Sequence, residues 1–163
     1  MRLKTLFLAT LACLGLLAAN GCPPQTIQET KLLASDGAAL DSFGNSVSIS
    51  GNVAVIGASG DDDNGNRSGA AYVFRFNGTS WVEVAKLLAS DGAAEDGFGT
   101  SVSASGEVVL VGAYYDDDNG DLSGSAYVFR SNGTSWVEEA KLLASDGAYA
   151  DRFGYQLSVA DDV

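Results

Sequence analysis

Polar and apolar residues alternate with period two in a series of short runs, the spacing that sends successive side chains to opposite faces of a strand. Ser46-Val47-Ser48-Ile49-Ser50 is the first. After a turn at Gly51-Asn52 comes Val53-Ala54-Val55-Ile56, apolar on both sides, as a strand covered on both faces must be. A polar loop from Gly60 to Ser68 leads to a third run, Ala70 to Phe76. Asn77-Gly78 then signals a hairpin, expected as a type I′ turn with positive φ at both residues. A fourth strand from Trp81 to about Leu88 alternates less cleanly and carries Glu83 and Lys86. Beyond the first 21 residues no segment has helical periodicity.

The whole pattern then recurs. Residues 31–85 return as 86–140 with 40 of 55 positions identical, and a partial third copy occupies 141–163. Ser101 to Ser105 and Val108 to Val111 restate the first two strands. A fixed period of this length means one supersecondary unit stacked on its neighbours, each burying the face of the next. The unit has four antiparallel strands, the inner ones apolar on both sides and the last more charged. That describes the blade of an all-β propeller. A two-layer sandwich would alternate cleanly in every strand. Blades are expected near residues 43–89 and 98–144, with the third copy forming only its innermost strand.

Phe43-Gly44 with Gly57-Ala58, Phe98-Gly99 with Gly112-Ala113, and Phe153-Gly154 opening the third copy carry a resemblance. They are similar to the FG-GAP repeat of integrin α-subunit propellers and of bacterial surface proteins. Gly69 to Phe74 and Gly124 to Phe129 extend the match, whereas Ser59 and Tyr114 stand where the family has proline. The resemblance implies a closed ring of about seven blades. About two and a half repeats therefore read as a fragment of a larger propeller, or as a unit that self-associates to cover its open faces. Thr26 to Leu33 resembles a fourth strand that would complete such a ring.

The N-terminus reads as an export signal. Arg2 and Lys4 precede an apolar stretch from Leu6 to Ala19, too short for a bilayer-spanning helix. Ala19-Asn20-Gly21-Cys22 resembles the lipobox of bacterial lipoproteins, which makes residues 1–21 a signal peptide and Cys22 a lipidated N-terminus. Residues 22–30 form a tether, and 31–163 the repeats. Cys13 and Cys22 are the only cysteines, so nothing after residue 22 can form a disulfide. The expected location is the cell envelope or cell surface, with the membrane contacted through the lipid.

Charge narrows the partners. The chain carries 9 basic and 21 acidic residues, a net charge of −12, which excludes nucleic acid because phosphate binding depends on Lys and Arg. Two acidic clusters, Asp61-Asp62-Asp63-Asn64 and Asp116-Asp117-Asp118-Asn119, occupy the loop between the second and third strands. The resemblance implies calcium there, bound by oxygen ligands. Gly60, Tyr115, Ser68 and Ser123 replace two of the expected carboxylates in each cluster, so the alternative is a solvated acidic turn. The Asn77 and Asn132 sequons read as hairpin turns.

Catalysis has little to stand on. There is no histidine, and every carboxylate cluster recurs with the repeat, whereas an active site needs a set of different residues. The expected function is a non-enzymatic binding or adhesion module for a protein or glycan. The rivals are part of a propeller lyase or hydrolase whose site lies in further blades, and a structural envelope protein.

Overall fold

A computed structural model describes residues 29–160. The signal peptide and Cys22 lie outside these residues, as does most of the tether. The chain divides into two units, Met1–Leu32 and Leu33–Val163. Residues 29–32 of the first carry neither helix nor strand.

The second unit holds eight strands: β1 (Val47–Ser50), β2 (Val53–Ala58), β3 (Ala70–Phe76), β4 (Trp81–Leu87), β5 (Ser101–Ser105), β6 (Val108–Ala113), β7 (Ser125–Ser131) and β8 (Trp136–Leu142). They form two antiparallel four-stranded sheets, ordered β1-β2-β3-β4 and β5-β6-β7-β8. Both sheets break register at the same place, after Val73 in β3 and after Val128 in β7. The repeat thus carries its β-bulge with it, bending the outer strand away from the inner three.

The two blades pack face to face. Val53, Val55, Ala71 and Val73 of the first meet Val102, Val109, Val111, Tyr127 and Phe129 of the second in one apolar core. Alternate residues of a blade therefore serve different neighbours. The consequence shows in exposure, because Val47 and Ile49 of β1 are 42% and 49% exposed, while their equivalents Val102 and Ala104 are 9% and 8% exposed. Same strand, different cover. Trp136 packs against this shared core, whereas Trp81 stacks on Phe76 of its own blade at 5.6 Å.

A seam of backbone contacts joins successive repeats. Gly69 and Phe98 form a parallel bridge, as do Gly124 and Phe153. Phe98 N–H donates to Ser68 O at 2.9 Å, and Phe153 N–H to Ser123 O at 2.7 Å. The second and third Phe-Gly pairs are thus hydrogen-bonded into the blade before them, and the Phe43 and Phe98 rings pack against the third strand of their own blades. Phe98 stacks edge-on against Tyr127 and Phe129 at 5.3 and 6.0 Å. Phe43 does the same with Tyr72 and Phe74.

Two expectations are corrected. The third copy supplies its Phe-Gly seam but no strand over residues 156–160. An innermost strand pairs with the second strand of its own blade, as β1 does with β2, and among the described residues that partner is missing. The hairpin between β3 and β4 is also not type I′. Only Gly78 is left-handed, at φ 96°. The Asn77 side chain instead accepts the Thr79 and Ser80 amides at 3.0 and 2.9 Å, an Asx-type turn.

Candidate functional site

Each acidic loop lies between the second and third strands, and the fourth strand delivers a lysine to it. Asp61 is buried, and its Oδ2 takes Lys86 Nζ at 2.8 Å. The same ammonium reaches Asp36 at 2.8 Å and Asp63 at 2.7 Å. The Tyr72 hydroxyl lies 2.7 Å from Asp36 and 3.0 Å from Asp61, sharing its one proton between them. The second blade repeats the arrangement, with Lys141 Nζ at 2.8, 2.8 and 2.6 Å from Asp91, Asp116 and Asp118. Burial alone would lower the Lys86 pKa, but Asp36, Asp61 and Asp63 outweigh it and hold the ammonium well above its ordinary value. Lys86 and then Tyr72 in turn hold Asp36 below the usual carboxylate range.

As they stand, these residues do not fit a calcium centre. Three carboxylates already share one ammonium, and among the described residues no group of His, Cys, Asp or Glu is arranged to hold a metal ion. Asp62 is spent on the Arg67 amide at 2.7 Å. Asn64 Nδ2 donates to Ala89 O at 3.0 Å and Asn119 Nδ2 to Ala144 O, so both amides tie their loop to the turn that opens the next repeat. Asp117 lines a cleft of about 410 Å³ with Asp96 and Tyr115.

That cleft contains a perturbed acid. Burial, with help from the charges of Asp116 and Asp117, raises Asp96 to about 6. An acid raised in the folded state costs stability once it ionises. Its penalty is absent below the ordinary carboxylate pKa and grows as pH climbs toward 6. Asp96→Asn should therefore melt higher than wild type at pH 7, and the gap should close near pH 4. Melting curves across that range check it; a gap that widens in acid would show the wrong sign.

The copies also differ at a second cleft, of about 640 Å³, lined along the innermost strands by residues such as Asn45, Ser59, Thr100, Tyr114, Tyr155 and Gln156. Tyr114 and Tyr115 stand where the first copy has Ser59 and Gly60, and Tyr155 where it has Asn45. Their rings gather, Tyr114 to Tyr115 at 3.8 Å and Tyr114 to Tyr155 at 5.3 Å. Burial, and next the Tyr115 hydroxyl, push the Tyr114 phenol up to about 12. Among the described residues no charged side chain lines this cleft.

Several residues gained roles the sequence had hidden. The serines of the innermost strands bond across blades: Ala104 N–H donates to Ser48 Oγ, Gly106 N–H to Ser50 Oγ, and Val159 N–H to Ser103 Oγ, each at 3.0 Å. Arg75 clamps Glu107 of the next blade through two bonds of 3.0 and 2.7 Å. Glu83 and Glu138 hold the Ser35 and Ser90 turns.

Repeated four-stranded blades joined through a Phe-Gly seam define a repeat protein of the propeller type. The model of the FG-GAP repeat matches residues 26–74, 81–129 and 136–163. The chain belongs to the FG-GAP repeat family. The later two matches begin at Trp81 and Trp136, so the family unit runs from the outer strand of one blade into the inner strands of the next. No curated protein matches the chain.

Proposed function

We propose that the protein is an exported, lipid-anchored, non-enzymatic binding module of the cell envelope or cell surface, and that its ligand is a neutral glycan. The observation behind this is the tyrosine-lined cleft. In a chain of net charge −12, no charged side chain among the described residues lines it. Its aromatic rings, a half-buried Tyr114 and an exposed Tyr155, occur where the copies differ, and tyrosines offer a rigid apolar surface with a polar tip. A glycan meets such a surface through its C–H faces and hydroxyls. In the two acidic loops Asp61, Asp63, Asp116 and Asp118 are committed to Lys86 and Lys141.

A glycan array probed with the full chain tests the ligand. Wild type should bind neutral oligosaccharides, and Tyr114→Ala with Tyr155→Ala should lose that binding while keeping the melting temperature within a few degrees. Unchanged binding by the variant removes the cleft from the role, and cleavage of a bound oligosaccharide makes the protein an enzyme. The anchor has its own test. Fatty-acid label should enter wild type and not Cys22→Ser; equal labelling of both would refute lipidation at this residue.

A further inference from the structure

We propose that Lys86 and Lys141 are the resident cations of the acidic loops, so that each blade closes without a divalent metal, and that removing the ammonium uncovers a divalent-cation site. Three observations carry this. Each Nζ lies 2.6–2.8 Å from three carboxylates drawn from two separate turns. One of the three, Asp61 or Asp116, is almost fully buried and cannot remain charged there without a counter-ion. Two carboxylates of each set are also held from a second side, because the Tyr72 hydroxyl bonds Asp36 and Asp61, and the Tyr127 hydroxyl Asp91 and Asp116.

The frame would therefore outlast the loss of the lysine head. With the ammonium present, three negative charges face one positive charge in each loop. Without it they converge on a space whose oxygen ligands suit a hard divalent ion, which bonds such oxygens at roughly 2.3–2.6 Å for calcium. Lysine side-chain length decides which of the two states holds. An alanine leaves room for an ion, whereas a methionine removes the charge and fills the space.

The test uses the full chain and calcium chloride against a chelator. Wild type should melt at the same temperature in both. Lys86→Ala with Lys141→Ala should melt lower in chelator and regain several degrees in millimolar calcium, since a ligand bound only by the folded state stabilises it. Lys86→Met with Lys141→Met should melt lower and stay there. Amine acetylation of wild type needs no variant: exposed Lys31 should react at least about tenfold faster than Lys86 and Lys141, whose free-amine fraction falls tenfold per unit of raised pKa. Calcium stabilisation of wild type, equal acetylation of the three lysines, or alanine variants that calcium neither stabilises nor refolds would each overturn the proposal.

Discussion

Gly57→Ala lowers the melting temperature by roughly 10 °C, a loss of about 3 kcal/mol, and Gly112→Ala does nearly the same. Neither glycine is needed for its backbone conformation. Both are needed because a Cβ at Gly57 would sit far inside contact with the Gly99 carbonyl, and one at Gly112 inside contact with the Gly154 carbonyl. The nearest obstruction in each case is a backbone carbonyl, so no rotamer change relieves it. Gly51→Ala is the control. Nothing lies within 4 Å of its added Cβ, and its only penalty is the left-handed φ of 56°, about 1 kcal/mol. Thermal melts of the three variants check the order. Equal losses at Gly57 and Gly51 would mean that the repeats do not approach as closely as described.

Phe98→Ala costs about 4 kcal/mol, the middle of the range for a large buried aromatic. Its ring is wholly buried, lies edge-on to Tyr127 and Phe129, and belongs to the core shared by both blades. The same motif residue occurs twice more under less cover. Phe43 is half-buried and Phe153 is 36% exposed. Losses on truncation should fall in the order Phe98, Phe43, Phe153. Denaturant titrations measure all three, and a Phe153→Ala loss equal to that of Phe98→Ala would contradict the view that stacking, not the motif itself, sets the energy.

Strands were legible in this sequence because their period is local and was printed more than once. Val47 to Ser50 and Ser101 to Ser105 announce themselves within five residues. What lay between blades was not legible. Ser48, Ser50 and Ser103 alternate with apolar residues and so read as a water-facing side, yet their hydroxyls accept amides from the next repeat, 56 residues on. The acidic triplets misled for a related reason. Asp61 to Asp63 draw the eye as neighbours in sequence, but the partner that governs them is Lys86, which also takes Asp36 from 50 residues away. Pairing over such distances leaves no trace in a single sequence. The replacement of Ser59 by Tyr114 was visible as variation between copies; its convergence with Tyr155 required the seam that brings the third Phe-Gly pair beside the second blade.

That seam is most directly tested by amide hydrogen exchange on the full chain. The Phe98 and Phe153 amides, bonded to Ser68 and Ser123 of the preceding blade, should exchange as slowly as the core amides of β2 and β6, while Gly78 and Gly133 in the hairpin turns exchange fast. Phe98 and Phe153 amides exchanging at the rate of the turn glycines would contradict the stacking of repeats through their Phe-Gly pairs.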